Sequence, residues 1–147
     1  MFPDLPLSHE RTCVPIQSGY CSNLPYNITT YPNMLGHSNI HQVDMVIDLI
    51  KEIVDSQCHP LAYEMLCMVV QPVCYSDKIV APCSAFCSEF LQACEGYIPA
   101  GLLDSIRCDK LPTEADGPGA CISKPGHILI DINQFITALF NFILKSL

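Results

Sequence analysis

Residues 82–94 read PCSAFCSEFLQAC, and they predict a helix that runs on to about Gly96 and carries three cysteines on one face. Cys83, Cys87 and Cys94 stand four and then seven residues apart. At about 100° per residue these positions lie within roughly 40° of one another. Two cysteines one turn apart on a helix point the same way and make a poor disulfide. Each of the three therefore needs a partner outside the helix, which ties this helix to three other segments.

The cysteine content indicates an oxidising compartment. Ten of the 147 residues are cysteine, and an even count in a short chain is typical of a disulfide framework. Zinc is the alternative, but zinc sites usually bring cysteines in pairs separated by about two to four residues. Only Cys83 and Cys87 stand that close. The sequence therefore favours disulfides and an extracellular protein, secreted or held at the cell surface, with neither a metal nor a cofactor.

Charge and composition exclude several classes of protein. Seven basic residues face 15 acidic ones, giving a net charge of −8. A nucleic-acid binder needs a basic face to replace phosphate counterions, and a polybasic membrane patch needs the same sign of charge. Half of the residues are hydrophobic, and the length suits one small domain. Residues 1–12 hold no apolar run of signal-peptide length, so we interpret them as a linker, and the chain as a mature portion or a part of a longer protein.

A second helix is predicted from Gln42 to Gln57, where apolar residues recur at helical spacing. Asn39 and Gln42 are a plausible capping pair at its start. Met45 and Leu49 widen the apolar stripe beyond what one neighbouring element needs. The extra width indicates either a well-buried helix or a flank that lines a groove.

The remaining segments predict two shorter helices and several irregular stretches. The helices are Leu61–Val70, which follows Pro60, and Ile98–Arg107. Prolines and glycines favour extended segments and turns over Cys13–Asn33, and loops over Cys74–Pro82 and Leu111–Gly126. The expected architecture is therefore mainly α, small and disulfide-rich, with four helices and short N-terminal extended segments.

Two surface features lie near the ends of the domain. Asn27-Ile28-Thr29 is an N-glycosylation sequon, which predicts a surface position for Asn27. His127–Leu147 is largely apolar with helical periodicity, but it is short and polar for a membrane span. We divide the chain into a linker at 1–12, a domain at 13–121, and a C-terminal linker and apolar tail at 122–147.

The cysteine spacing resembles that of the Frizzled-type cysteine-rich domain. The ten cysteines from Cys13 to Cys121 are separated by 7, 36, 8, 6, 8, 3, 6, 13 and 12 residues. Three short sequence motifs are similar to those of the family: Tyr26-Asn27-Ile28-Thr29 followed by Pro32-Asn33, Pro82-Cys83-Ser84-Ala85-Phe86-Cys87, and Cys108-Asp109-Lys110-Leu111-Pro112. The run Asn23-Leu24-Pro25-Tyr26 looks closer to the modules of corin and membrane frizzled-related protein than to the receptors.

This resemblance implies a disulfide pairing, a function and a site. The implied pairs are Cys13–Cys74, Cys21–Cys67, Cys58–Cys94, Cys83–Cys121 and Cys87–Cys108. The implied function is non-catalytic binding of a lipidated Wnt-type protein, or of a free fatty acid, in an apolar groove. The positions implied for that groove are Leu49, Ile50, Ile53, Ile98, Leu102, Leu103 and Ile122. All seven are apolar, as an acyl chain requires, although the same side chains suit a core.

Three departures from the receptors and one alternative accompany this resemblance. The interval between Cys94 and Cys108 is shorter than in the receptors and lacks their Trp-Pro. Aliphatic residues stand where the receptors have aromatic residues in the groove. Glu64 and Met65 stand where the receptors have aromatic residues before the fourth cysteine. The alternative is a structural or protein-interaction module of a larger cell-surface protein, such as a corin-like protease, without lipid binding. A dimer through the domain is also possible.

Enzyme activity and metal binding are not expected. Cys58-His59 suggests a phospholipase, but Pro60 follows, and neither the His-Asp pair nor the glycine-rich calcium loop of that chemistry is present. His37 and His41 have a metal-binding spacing without a third ligand. The sequence also contains no nucleophile elbow and no phosphate-binding loop.

Overall fold

The computed structural model describes residues 11–123 and 144–145, and α-helices with five disulfides organise the described part. The helices are α1 (Ile40–Asp44), α2 (Ile47–Asp55), α3 (Ala62–Val70), α4 (Ser84–Cys94) and α5 (Ala100–Leu103). Short 3-10 turns cover Tyr20–Ser22, Glu95–Tyr97, Cys108–Lys110 and Glu114–Asp116. The mainly α, disulfide-rich fold expected from the sequence is confirmed.

The long helix predicted over Gln42–Gln57 is two helices instead, and that prediction is wrong at its centre. The chain tightens between α1 and α2, where the Met45 N–H bonds the Gln42 carbonyl and the Val46 N–H bonds the Val43 carbonyl. Bonds three residues apart are those of a 3-10 turn, which interrupts the α-helical ladder. This break leaves the Met45 side chain 83% exposed.

The start of α1 is capped largely as predicted. The side-chain oxygen of Asn39 accepts the backbone N–H groups of His41 and Gln42 at 3.0 and 3.3 Å. The Gln42 side chain reaches back to the N–H of Ser38 rather than to that of Asn39. The bonds to Asn39 satisfy donors that a helix start leaves without an internal partner, and the bond to Gln42 satisfies a donor just before the helix.

The loop predicted over Cys74–Pro82 is wrong, because most of it forms a β-hairpin. Strand β3 (Val73–Tyr75) pairs antiparallel with β4 (Lys78–Val80). Ser76 and Asp77 connect the strands with φ angles of 51° and 58°. Positive φ at both central residues matches the twist of a two-residue hairpin turn.

The N-terminal extended segments are also present. Strand β1 (Val14–Pro15) pairs antiparallel with β2 (Ile28–Thr29). The Arg11 N–H donates to the Asp77 carbonyl across 2.8 Å, so backbone pairing begins before the proposed start of the domain at residue 13.

Helix α4 is tied to three other segments, as its cysteine spacing predicts. Cys83, Cys87 and Cys94 each pair with a cysteine outside the helix. The five bridges are those implied by the resemblance: Cys13–Cys74, Cys21–Cys67, Cys58–Cys94, Cys83–Cys121 and Cys87–Cys108. No cysteine is left free.

The fourth predicted helix, Ile98–Arg107, is much shorter in the structure. Only Ala100–Leu103 is α-helical, and the next two turns use bonds from Ser105 to Leu102 and from Ile106 to Leu103. Cys108 is then held by its bridge to Cys87, which fixes where the chain must return to α4. The apolar tail at 127–147 lies outside the described residues, apart from residues 144–145.

The end of α3 is closed by the segment at residues 26–34. Four successive carbonyls accept hydrogen bonds from this segment. The Val69 carbonyl accepts the Met34 N–H at 3.1 Å, and the Val70 carbonyl accepts Asn33 Nδ2 at 3.0 Å. The Gln71 carbonyl accepts the Tyr26 hydroxyl at 2.5 Å, and the Pro72 carbonyl accepts the Thr29 hydroxyl at 2.8 Å. We call this set the carbonyl clasp. Carbonyls at a helix end have no internal partner, and burying them unpaired is costly. Burial also raises the pKa of Tyr26, which keeps its hydroxyl protonated as a donor.

Two apolar clusters fill the interior. The larger one joins α1, α2, α3 and α4 around side chains such as Val43, Ile53, Met65 and Phe90. The smaller one contains Met68 and Ile122, with Tyr26, Val73 and Val80 packed against it. Helix α3 contributes to both clusters.

Candidate functional site

The seven groove candidates have unequal exposure. Ile50, Ile53, Ile98 and Ile122 are buried, with 3%, 1%, 6% and 5% of their surface exposed. Leu49, Leu102 and Leu103 are half-buried. The four isoleucines therefore belong to the interior, and the three leucines are the candidates that a ligand can reach.

Six of the seven candidates lie in one cluster. Ile50, Ile53 and Ile98 are members of the larger core, and Leu49, Leu102 and Leu103 pack against it. Ile122 lies in the smaller cluster, apart from the other six. Its N–H bonds the Ala81 carbonyl and its carbonyl accepts the Cys83 N–H, at 2.9 and 2.8 Å. Ile122 thus holds the chain against Ala81 and Cys83, beside the Cys83–Cys121 bridge.

Helix α2 contacts a pair of tyrosines through Lys51, on a different side of the helix from Leu49. The ammonium of Lys51 lies 5.4 Å from the centroid of the Tyr20 ring, and Tyr20 packs edge-on against Tyr63 at 5.3 Å. Residues 49 and 51 are about 200° apart around a helix. Leu49 therefore lies away from the Lys51–Tyr20 contact, and its side chain is half-buried.

Two more apolar side chains flank the candidate residues, and the groove positions do not include them. Met45 precedes α2 with 83% of its surface exposed, and Tyr97 precedes Ile98 with 56% exposed. The sequence signal for Met45 is the widened apolar stripe with Leu49. Nothing in the periodicity singles out Tyr97, because it lies in a 3-10 turn rather than in a longer helix.

The surroundings of the candidate leucines are strongly acidic. In residues 44–55 and 95–104 one side chain, Lys51, is basic and six are acidic: Asp44, Asp48, Glu52, Asp55, Glu95 and Asp104. Lys51 is engaged above the Tyr20 ring. Asp48 adjoins Leu49, and Asp104 follows Leu103 directly. These segments thus combine accessible aliphatic surface with negative charge.

His37 and His41, which were considered as metal ligands, and His59, which was considered for phospholipase chemistry, have structural roles or are exposed. His37 Nδ1 is hydrogen-bonded to Asn33 Nδ2 at 3.0 Å, and His41 is exposed. His59 Nδ1 accepts the Leu61 N–H at 2.9 Å at the start of α3. Among residues 11–123 and 144–145, no group of three metal-binding side chains converges.

The residues that replace receptor aromatics before the fourth cysteine point inward. Met65 is 1% exposed and belongs to the larger core. Glu64 is half-buried, and its Oε2 is buried without a hydrogen-bond partner. Met65 is thus a packing residue rather than part of an exposed surface.

The described residues form a small helical domain that is held together by five disulfides. A family model described as the Fz domain matches residues 13–115, and the chain belongs to this family. In the described part of the chain, no helix is both long enough and apolar enough to cross a membrane.

The similar proteins include two Frizzled proteins and a secreted frizzled-related protein. The chain is 30% identical over 123 residues to Frizzled-4 of Rattus norvegicus, covering 80% of this chain and 23% of the relative. It is 32% identical over 109 residues to Frizzled-1 of Xenopus laevis, covering 71% of this chain and 20% of the relative. It is 27% identical over 137 residues to secreted frizzled-related protein 3 of Mus musculus, covering 89% and 42%. The chain therefore spans less than half of the length of each of these relatives. The closer local likeness of residues 23–26 to corin-type modules stays a prediction.

Proposed function

We propose that this chain is an extracellular, non-catalytic module that binds the acyl chain of a lipidated Wnt-type protein. The observation that carries the proposal is the half-exposure of Leu49, Leu102 and Leu103 against one shared core. Covering such side chains with an acyl chain removes apolar surface from water, worth about 0.8 kcal/mol for each methylene buried. Membership of the Fz domain family supports the same function.

The acidic surroundings favour an acyl chain attached to a protein over a free fatty acid. A free fatty acid carries a carboxylate, which Asp48 and Asp104 repel if it lies near Leu49 or Leu103. An ester-linked acyl chain has no charge at its head. Because screening weakens this repulsion beyond about 8–10 Å, the preference is strongest when the head group stays near the leucines. The same acidic residues would attract a basic surface around the lipid of the partner.

The alternative function is a protein-interaction module without lipid binding. The observation that favours it is the burial of Ile50, Ile53 and Ile98, which assigns three of the groove positions to the domain's own core. The three leucines would then be ordinary half-buried packing residues. A free fatty acid as ligand and a dimer through the domain also stay predictions.

The experiment compares two charged substitutions at the candidate site with one elsewhere. Leu49→Glu and Leu103→Glu place a carboxylate where the acyl chain would lie. Ile28→Glu makes the same change on β2, at a side chain that is 43% exposed. Binding to an immobilised acylated Wnt-type protein and to its enzymatically deacylated form is measured for each oxidised variant.

The proposed function predicts that substitution weakens binding of the acylated partner at two of the three positions, Leu49 and Leu103. Losing contact with about two to four methylenes weakens binding by about fifteen- to two-hundredfold in Leu49→Glu and Leu103→Glu. Ile28→Glu should bind as the parent does, and the deacylated partner should bind weakly to all. Equal binding of both partner forms by the correctly bridged parent would establish the interaction module instead. Displacement of a fluorescent fatty acid by palmitoleate separates a free-lipid ligand from a protein-linked one.

A further inference from the structure

The methionine at the junction of α1 and α2 differs in exposure from the other methionines of the domain. Met45 has 83% of its surface exposed. The other three methionines of the described part are buried, with 3% exposed at Met34 and 1% each at Met65 and Met68. All ten cysteines are paired in disulfides, and the chain has no tryptophan. Within the described residues, the Met45 thioether is therefore the accessible group that a mild two-electron oxidant attacks first.

Met45 also lies next to the candidate ligand site. It stands four residues before Leu49, which corresponds to about one helical turn. Its backbone keeps helical angles, with φ at −67° and ψ at −21°, although the α-helical ladder is interrupted there. Val46 and Leu49 pack against the larger core, which holds this end of α2 in place. An acyl chain that extends from Leu49 toward α1 would therefore cover the Met45 side chain.

We propose that Met45 is a modification site for hydroperoxides, and that its oxidation weakens binding of an acyl chain at Leu49. A lone pair of the Met45 sulfur forms a bond to one oxygen of hydrogen peroxide, and the O–O bond breaks. The sulfur is oxidised by two electrons to the sulfoxide, and the peroxide is reduced by the same two electrons. The transferred oxygen gives its proton to the departing hydroxide, which leaves as water.

The surroundings of Met45 permit this reaction in the folded domain. Asp44 and Asp48 lie close to it in the chain, but hydrogen peroxide is uncharged at neutral pH and is not repelled by carboxylates. The buried methionines, by contrast, meet the oxidant only when the domain opens locally. Exposure therefore selects Met45 over the sulfurs of the core.

The sulfoxide changes the polarity of this surface without changing its charge. Oxidation converts a flexible apolar side chain into a polar one that accepts hydrogen bonds from water. An acyl chain has no donor, so covering the sulfoxide removes those bonds without replacing them. This effect on binding rests on the proposed function, whereas the preferential oxidation of Met45 does not.

The first arm of the test measures where the oxygen is added. The full disulfide-bonded chain, with its five bridges mapped, is treated with dilute hydrogen peroxide at neutral pH. Peptide mass mapping follows the gain of one oxygen at each methionine with time, including Met1, which lies outside the described residues. Met45 should react at least about tenfold faster than each of the three buried methionines. Equal rates at Met45 and the buried methionines would overturn it as the preferred site.

The second arm measures binding of an immobilised acylated Wnt-type protein and of its enzymatically deacylated form, before and after peroxide treatment. Oxidation should weaken binding of the acylated form by at least about tenfold. The thermal midpoint should change by no more than about 3 °C, because the side chain is exposed. Met45→Gln, which places an uncharged polar group there without oxidation, should bind as weakly as the treated parent.

Met45→Leu is the matched control, because it keeps every other methionine and an apolar side chain at position 45. Its binding should be the same before and after treatment. Unchanged binding by the treated parent, or an equal loss in treated Met45→Leu, would overturn the effect on binding while leaving the proposed function intact. An untreated parent that binds both partner forms equally would overturn the proposed function and this effect together, and the peptide masses would still decide whether Met45 is the oxidised residue.

Discussion

Asn33 Nδ2 donates to the Val70 carbonyl across 3.0 Å, and this bond joins the N-terminal segment to the end of α3. The other side-chain atom of Asn33 is equally committed, because Oδ1 accepts the N–H groups of Leu35 and His37 at 2.9 and 2.8 Å. These two donors fix the orientation of the amide. Since Asn33 is fully buried, every one of these bonds replaces a lost bond to water.

Replacing Asn33 should destabilise the oxidised domain strongly. Asn33→Ala leaves the Val70 carbonyl and two backbone N–H groups without these partners, and each unsatisfied buried group costs about 1–3 kcal/mol. We expect a loss of at least about 3 kcal/mol in the free energy of unfolding, measured by urea denaturation with the bridges intact. Asn23→Ala is the matched control, because Asn23 is exposed. Similar midpoints for the two variants would show that the carbonyl clasp contributes little.

Stability should fall as the pH is lowered through the titration of His37. The fixed orientation of Asn33 makes its Nδ2 a donor, so His37 Nδ1 must accept and the ring must be neutral. Burial lowers the pKa of His37 below its usual value of 6.5. The unfolded chain therefore takes up the proton first, and the stabilising contribution is complete above about pH 6.5 and is lost as the pH falls toward the folded pKa.

The measurement is the thermal midpoint between pH 5 and 7.5, above the usual range of carboxylate titration. His37→Asn keeps a side-chain acceptor near Asn33 but removes the titrating ring. Its midpoint should depend less on pH than that of the parent in this interval. An unchanged slope in the variant would assign the pH dependence to other groups.

Packing rather than loop length should decide which disulfide contributes more to the free energy of unfolding. Chain entropy alone predicts about 4 kcal/mol for Cys13–Cys74, which spans 61 residues, and about 3 kcal/mol for Cys87–Cys108, which spans 21. However, Cys87 is 0% exposed and lies in the larger core, whereas Cys13 is half-buried. Removing the buried bridge also leaves a void, which adds to its cost.

We therefore expect the double Cys→Ala variant at 87 and 108 to lose at least as much stability as the one at 13 and 74. Both are compared by urea denaturation after the remaining four bridges have been mapped. A larger loss for the longer loop would show that chain entropy dominates and that the core adapts around Cys87.

The predictions that held were those set by strong periodicity or by cysteine geometry. Helix α4 carries Cys87 and Cys94, and Cys83 precedes it directly; their spacing predicts partners elsewhere, and the structure supplies them. Helix α3 begins within one residue of the predicted Leu61 and ends at the predicted Val70. In both helices the apolar spacing and the flanking proline act in the same direction, so local and tertiary preferences agree.

The predictions that failed concern turns that the sequence pattern does not mark. The 73–80 hairpin turns through Ser76 and Asp77, neither of which is glycine, and the Asp77 carbonyl is bonded by Arg11 from the far N-terminal segment. The break between α1 and α2 falls within a continuous apolar pattern that gave no stop signal. For the candidate site, the resemblance implied leucines in α2 and α5 that are half-buried, but it could not separate them from the buried isoleucines nearby in the chain.

Met45 offers a test of the site that is independent of folding. Because its side chain is 83% exposed, substitution should change the free energy of unfolding by no more than about 0.5 kcal/mol. If the acyl ligand covers the apolar stripe from Leu49 toward Met45, Met45→Ser should weaken binding of the acylated partner by about ten- to thirtyfold. This corresponds to about 1.5–2 kcal/mol of lost apolar burial.

Met45→Leu is the matched variant, because it keeps an apolar side chain of similar size and should bind within about twofold of the parent. Equilibrium binding of both variants is compared after their thermal midpoints have been shown to be equal. The contrast between Ser and Leu isolates apolar contact, since neither substitution changes the charge near Asp44 and Asp48. Equal binding by the two variants would place the acyl chain away from the α1–α2 junction and confine the site to the side chains around Leu102 and Leu103.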